Sequence, residues 1–374
     1  MADLKMNIPP EVIIGSVNRL GDEAVFLGNR ILLIADSALE GAIDDVRNIL
    51  ESRGLSVLLF SDAVPVSTTF TLNDALSMAR GSHANVIIGM GGVKTLQLAR
   101  ATASLAVEKI FVDDYLRGAV RPVKGLPYIE LPTSGRNPFM FRSECFLTEH
   151  SERYSRICPM PEESLKMIFL DPLFLDSYSD RYLYMAMMDI LLHSVEAYLS
   201  PRASFFSDVQ ASRAISEVSS LLGFKGNAHS SPDRFSRIYE ASLFSAYGGA
   251  LNGVGAVTVL SYMLSGYTGK PKGAISTVLL PLLLESSFFP GNDKKLSLAK
   301  LCHHEPMPED FKSLKPEEVM RRFQGLHELP SRFSALGITA QELSEAASLT
   351  YSILEAQIPS LTQEALFNIL QAGL

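Results

Sequence analysis

Asp189 and His193 stand four residues apart in DILLHSVEAY, inside a long apolar stretch. On a helix that spacing puts both side chains on one face, about 5–6 Å apart, so a carboxylate and an imidazole converge on one point. Two chemistries use such a pair. It is half of a divalent-metal site whose other nitrogen and oxygen ligands come from elsewhere in the chain, or it is a buried histidine hydrogen-bonded to its neighbouring acid. A second candidate lies earlier, in GMGGVKTLQLAR, Gly89 to Arg100. There a glycine-rich turn feeds a helix, and backbone N–H groups with the positive helix end can hold a pyrophosphate. The plainer reading gives those glycines only a tight strand-to-helix turn.

The elements that must position these residues change character along the chain. RILLIAD is a β-rich run, followed by the helical ALEGAIDDVRNILESRG, with Gly54 as its C-cap. Strand LSVLLFSD, helix LNDALSMARG, strand ANVIIGMGG, helix KTLQLARATASLA and strand LPYIELPT follow, and SECFLTEH and LKMIFLDP add short strands. Such alternation implies a mostly parallel sheet with helices on both faces. After Pro172 the strand signal fades. Periodic apolar helices take over in YLYMAMMDILLHSVEAYLS, SDVQASRAISEVSSLLG, RIYEASLFSAYGGALNG, LPSRFSALG and TQEALFNILQAGL. The expected fold class is an α/β, Rossmann-like N-terminal domain over residues 1–175 and an all-helical domain over 176–374. AHSSPDR and HHEPMPEDFKSLKPEE read as surface connections, with His303 and His304 solvated rather than ligating.

Composition narrows the function. The 374 residues are 47% hydrophobic and 20% charged, the profile of a globular chain with a large apolar interior. A net charge of −8 offers no basic surface for a phosphate backbone, so nucleic acid is not an expected partner. No apolar run reaches the roughly 18–20 residues a membrane span needs. The densest, GAISTVLLPLLLESSFF, is broken by Pro281 and Glu285 and reads as a buried helix. MADLKMNIPPEV lacks a secretory pattern, and Cys145, Cys158 and Cys302 suggest neither a disulfide framework nor a zinc knuckle, so a reducing cytoplasm is expected.

Taken in order, the segments resemble the iron-containing alcohol dehydrogenase family, with its dehydroquinate synthase-like fold, over nearly the whole chain. RILLIADSAL lies near the start, VIIGMGGVKTLQLAR stands where the family has G-G-G-S-x-x-D-x-A-K, and LPTSGRNP where it has P-T-T-A-G-T-G-S-E. DILLHSVEAY matches D-x-x-x-H-x-x-E-x-Y, KPKGAISTVLLP matches I-P-H-G-x-x-x-x-x-x-L-P, and IPSLTQEALFNIL lies near the C-terminus. The resemblance implies an oxidoreductase that interconverts a small alcohol and a carbonyl compound with NAD, and homo-oligomers are common among such enzymes.

It also implies a metal held by an Asp and a His on one helix and by two later histidines fourteen residues apart. Asp189 and His193 match the first two, but Thr258 and Lys272 stand at the others, and Tyr262 replaces a further histidine near the substrate. A protonated lysine has no lone pair and a threonine hydroxyl is a poor ligand, so only a half-site remains and no tightly bound metal is expected. Lys272 becomes the candidate electrophile, with Tyr262 relaying the proton.

The nucleotide motifs have drifted as well. Gly91 and Gly92 remain, while Val93, Lys94, Gln97 and Arg100 replace the third Gly, the Ser, the Asp and the final Lys. A β-branched Val93 resists φ > 0 and would hold a phosphate away from the backbone, whereas Lys94 offers it a charge. Thr133 and Ser134 survive as hydroxyls, but Gly135, Arg136, Asn137 and Pro138 replace a run of small residues, Met140 stands where Glu is usual, and Arg136 crowds the dinucleotide path. Asp36 matches a carboxylate that binds the adenosine ribose and favours NAD over NADP; its alternative is a helix N-cap before SALEGA. Weak NAD binding is the expectation. The rival reading is a homologue that has lost the chemistry and serves as a binding or partner protein, and a lyase or isomerase in the same cleft is a third.

Overall fold

The computed structural model describes residues 10–61, 68–150, 155–223, 232–286, 288–289, 292–302, 315–354 and 361–374. His303 and His304 lie outside them. The chain divides into two compact units, Met1–Ser177 and Tyr178–Leu374.

The first unit runs β1 (Glu11–Ile14), α1 (Leu20–Ala24), β2 (Arg30–Ala35), α2 (Glu40–Glu51), β3 (Ser56–Phe60), α3 (Thr69–Gly81) and β4 (Val86–Gly91). It continues through α4 (Val93–Leu105), α5 (Val112–Leu116), β5 (Tyr128–Pro132), β6 (Glu144–Thr148), β7 (Ser155–Pro159) and β8 (Leu165–Leu170). Six strands form one parallel sheet in the order β1-β8-β5-β4-β2-β3. Successive side chains of a strand face opposite sides, and both sides are apolar here. Leu32, Ile34, Ile87 and Tyr128 pack under α3, α4 and α5, while Ile31, Leu33, Val86, Ile88 and Ile129 pack against α1 and α2. Burial on both faces explains why β2 and β4 read as continuous apolar runs instead of alternating ones.

Two strands go beyond the sequence reading. β1 joins the sheet edge beside β8, and SECFLTEH does not extend the main sheet: β6 pairs antiparallel with β7 in a separate hairpin. The SRICP segment of β7 ends in proline and carries two polar residues, which conceals it in the sequence. Cys145 and Cys158, distant enough in sequence to look unrelated, face each other across this hairpin.

The second unit is helical, with α6 (Asp180–Leu199), α7 (Phe205–Gly223), α8 (Pro232–Asn252), α9 (Ala256–Thr268), α10 (Lys272–Glu285), α11 (Asn292–Cys302), α12 (Pro316–Leu326), α13 (Ala340–Leu354) and α14 (Gln363–Gln371). LPSRFSALG, expected as a helix, yields only a 3-10 turn at Ser334–Leu336, confined between Pro330 and Gly337. Ser179 caps α6, its Oγ accepting from Tyr182 N at 3.3 Å. α6 packs against α7, α8, α9 and α10, so nearly its whole circumference is apolar. α10 carries Pro281, which has no N–H for the carbonyl of Thr277 four residues earlier. Gln324 on α12 satisfies it instead, its Nε2 donating to Thr277 O at 2.8 Å. Among the described residues no single helix is long and apolar enough to cross a membrane.

Candidate functional site

The helical unit assembles its polar site around one capping interaction. α9 begins after Gly255 with no side-chain cap of its own, which leaves its first N–H groups needing acceptors. Glu196, three residues beyond His193 on α6, supplies them: its Oε1 accepts from Val257 N at 2.5 Å and from Thr258 N at 3.1 Å. A side chain at position 255 would prevent this, because a Cβ there would lie 2.2 Å from Glu196 Oε1. Burial opposes the charge on Glu196, but the neighbouring His193 ring and the hydrogen bonds from Thr258 outweigh it and hold the carboxyl below its ordinary value.

The cap orients the rest. Thr258 Oγ donates its only proton to Glu196 Oε2 at 2.5 Å. The 3.0 Å contact between Thr258 Oγ and His193 Nδ1 must therefore be donated by the imidazole. That fixes the tautomer: Nδ1 carries the proton and Nε2 presents a lone pair. Lys272 Nζ lies 2.6 Å from Nε2 and 2.5 Å from Asp189 Oδ1. Ser276, one turn after Lys272, donates to the same Asp189 oxygen at 2.5 Å. Asp189 and His193 are themselves 3.6 Å apart, with the ammonium hydrogen-bonded to both. Lys272 is 4% exposed and Asp189 0%. Burial first, and then the Lys272 charge, push His193 below the usual histidine value, so the ring stays neutral.

These side chains do not form a metal-binding set. The ammonium is bound to the two groups that would ligate a cation, and Thr258 and His193 Nδ1 are occupied with the Glu196 cap. Among the described residues no group of three or more His, Cys, Asp and Glu side chains is placed to hold a metal ion. Tyr262 meets Lys272 through its ring face, with Nζ 4.7 Å from the ring centroid. This is a cation–π contact, not the O–H contact that relaying a proton requires. Glu196 and Ser276 were not singled out in the sequence, although their offsets of three from His193 and four from Lys272 are helical-face spacings.

In the α/β unit, β3 lies on one side of β2 and β4 on the other, which makes the carboxyl ends of β2 and β4 the switch point of the sheet. Ligands of open α/β sheets bind at such points. Gly91 ends β4 at φ +155°, and a Cβ there would press on Thr95 and Asp36. Gly92 precedes α4, and a Cβ on it would meet only open space. Val93 is the first helical residue and does not have positive φ. The position therefore needs no glycine, and the expected strain at Val93 is absent. Asp36 caps the 3-10 turn at Ser37–Leu39, Oδ1 accepting from Ala38 N at 3.1 Å.

Lys94 is half-buried beside Arg136; desolvation first, and then the Arg136 charge, lower its pKa. Thr133 and Ser134 are buried; Thr133 N donates to Gly91 O at 3.0 Å, and Ser134 Oγ bonds the Arg136 carbonyl within its own loop. Gln97 and Arg100 serve the core. Gln97 Oε1 accepts from Phe146 N at 2.6 Å, and the fully buried Arg100 pairs with Glu130 at 2.5 Å and donates to Arg142 O at 2.8 Å.

The chain thus combines a parallel α/β unit with an open glycine turn at its switch point and a helical unit whose polar site is built from an Asp-x-x-x-His face. The chain belongs to the iron-containing alcohol dehydrogenase family. Residues 9–159 match the family pattern described as "Iron-containing alcohol dehydrogenase", and residues 183–374 match "Fe-containing alcohol dehydrogenase family, C-terminal". The chain is 33% identical over 278 residues to Long-chain-alcohol dehydrogenase 1 of Geobacillus thermodenitrificans, covering 72% of this chain and 69% of that one. It is 22% identical to the lactaldehyde reductase of Escherichia coli over 71% of each. Among solved structures, a 1,3-propanediol oxidoreductase superposes over all of both chains with a TM-score of 0.88 at 20% identity. The NAD+ complex of sulfoacetaldehyde reductase from Bifidobacterium kashiwanohense gives a TM-score of 0.82 at 16% identity, covering 100% of this chain and 99% of that one. The structural likenesses establish the fold.

Proposed function

We propose that this chain interconverts a small alcohol and its carbonyl compound with a nicotinamide cofactor, and that the Lys272 ammonium does there the electrostatic work of a metal. The carrying observation is the seat of Lys272 Nζ, 2.5 Å from Asp189 Oδ1 and 2.6 Å from His193 Nε2. A bound nicotinamide supplies or takes the hydride; the turn at Gly91 and Gly92, Lys94, and Asp36 toward the ribose are the residues that would hold it, with Thr133 and Ser134 shaping the adjoining loop. Asp36 favours NAD over NADP, since a 2′-phosphate would meet a carboxylate.

As a carbonyl is reduced, negative charge builds on its oxygen. A fixed ammonium stabilises that charge and is an acid from which the oxygen can take its proton. Asp189 and His193 fix Nζ in position, and Glu196 with Thr258 fix the His193 tautomer that accepts from it. Because the donor set holds an ammonium in place of a metal ion, the reaction runs without a bound metal. Three free cysteines, all buried, accord with a reducing cytoplasm.

The test is NADH oxidation with a panel of short aldehydes, hydroxyaldehydes and ketones, using enzyme dialysed against chelator. Turnover is expected to persist after chelation and to fall about 10²–10³-fold in Lys272→Met, the loss typical of removing one oxyanion donor. Turnover that appears only on adding iron or zinc would overturn the metal-free reading. No turnover with any substrate would favour a binding protein built on the family's scaffold.

A further inference from the structure

The loop between β5 and β6, residues 133–143, carries Thr133 and Ser134 beside the glycine turn, and behind it lies a buried polar cluster that the proposed reaction does not use. Glu130 is its centre. Arg100 of α4 meets Glu130 Oε1 at 2.5 Å, and the Tyr128 hydroxyl lies 3.1 Å from the same oxygen. The other oxygen, Oε2, accepts from Asn137 Nδ2 in the loop at 2.8 Å. Arg100 and Glu130 are fully buried and Asn137 is buried with them. Gly89 of β4 stands beside Glu130 in the sheet and leaves the cluster its room, since a Cβ there would lie 2.7 Å from the Tyr128 hydroxyl oxygen.

Asn137 is held in one orientation. Its Oδ1 accepts from Phe139 N at 3.0 Å, so its NH2 group must face the carboxylate, and a flipped amide would lose both bonds. Arg100 also reaches the far end of the loop, Nη1 donating to Arg142 O at 2.8 Å and to Glu144 O at 3.3 Å, and Arg142 Nε returns to Pro138 O at 3.2 Å. The near end is tied to the turn itself, Thr133 N donating to Gly91 O at 3.0 Å. Directly or through Glu130, the loop is fastened at its start, middle and end to β4 and α4, the two elements that meet at Gly91 and Gly92. Well-packed apolar groups often stabilise a fold as much as a buried ion pair does. What the hydrogen bonds add is direction.

We propose that Glu130 and Asn137 are positioning residues for the nicotinamide nucleotide, holding the 133–143 loop in shape against the glycine turn before the nucleotide arrives; this rests on the nicotinamide reading of that turn. A loop already in place need not be ordered on binding, so cutting the link costs affinity for the nucleotide.

The experiment measures NADH binding to the full-length chain by calorimetry, well below each variant's melting temperature, with amide hydrogen exchange on the same samples. Asn137→Ala leaves the Arg100–Glu130 pair whole and removes only its link to the loop. NADH affinity is expected to fall about 10-fold or more, the scale of one hydrogen bond to a charged group, with faster exchange at residues 139–142 and unchanged exchange in β4 and β5. Glu130→Gln should weaken binding similarly, because with its amide carbonyl facing Arg100 its NH2 group meets the Asn137 NH2 group. Adding Asn137→Asp turns that clash into a bond and restores the lost carboxylate, so the double variant should recover most of the affinity, which general damage to the core would not allow. A wild type that binds no NADH would overturn the nicotinamide reading and this inference with it. Wild-type affinity kept in Asn137→Ala, unchanged exchange in its loop, or no recovery in the double variant would overturn this inference alone.

Discussion

Replacing Lys272 by Met keeps the length of the apolar stem and deletes the charge that Asp189 and His193 hold. At 2.5 Å and an effective dielectric near 20, the Lys272–Asp189 attraction is about 7 kcal/mol before desolvation is subtracted. Both groups are buried, so the Lys272→Met chain strands a carboxylate left with Ser276 as its remaining hydroxyl donor from α10. Breaking one side of such a pair costs about 3–5 kcal/mol, against about 0–1 kcal/mol for an exposed pair. For a unit of this size that lowers the melting temperature by about 6–20 °C.

In an Asp189→Asn background no carboxylate is stranded. Lys272→Met then removes a cation–π contact and hydrogen bonds to neutral acceptors, together about 1–2 kcal/mol. Denaturant titration of the four chains in the cycle should therefore show a coupling of about 2–3 kcal/mol. Single-variant losses that add to within about 0.5 kcal/mol would refute the reasoning, because independent sites add in that way.

Three further outcomes follow from the same geometry. Lys94→Ala should weaken NADH binding about 10-fold or more, the loss of one charge-assisted contact, as read by calorimetry; unchanged affinity would remove Lys94 from the cofactor site. His193 is held neutral by burial and by Lys272, so its folded pKa lies below the unfolded value of about 6.5. Above that value it costs the fold nothing. As pH falls below it the unfolded chain takes the extra proton and stability is lost, and His193→Gln should flatten this acid-side loss; an unchanged slope would contradict the neutral ring. Replacing Thr258 and Lys272 together by histidine should give the chain a stoichiometric metal, seen by elemental analysis; a double variant that folds but gains none would mean Lys272 does not occupy the metal position.

Some of this was legible in the sequence because it is local. The alternation of strand-like and helix-like segments pointed to the parallel sheet, i,i+4 spacing placed Asp189 over His193, and the fourteen residues from Thr258 to Lys272 pointed to a changed site. The rest depends on distant packing. Glu196 acts on α9, sixty residues further on, and the need for glycine at 255 arises only from that carboxylate. β7 is recognisable only from its partner β6, and the two cysteines meet only once that hairpin forms. Local rules misled at Val93, where the loss of a family glycine suggested strain but the backbone there is helical. Tyr262, named from its place in the family motif, offers Lys272 its ring.

The central claim is that an ammonium, not a metal, sits between Asp189 and His193. Its most direct test is elemental analysis of catalytically active protein grown with added iron and zinc and purified without chelator. The account expects metal far below one equivalent per chain, with turnover unrelated to the residual content. About one iron or zinc per chain, lost together with activity in Asp189→Ala, would contradict it.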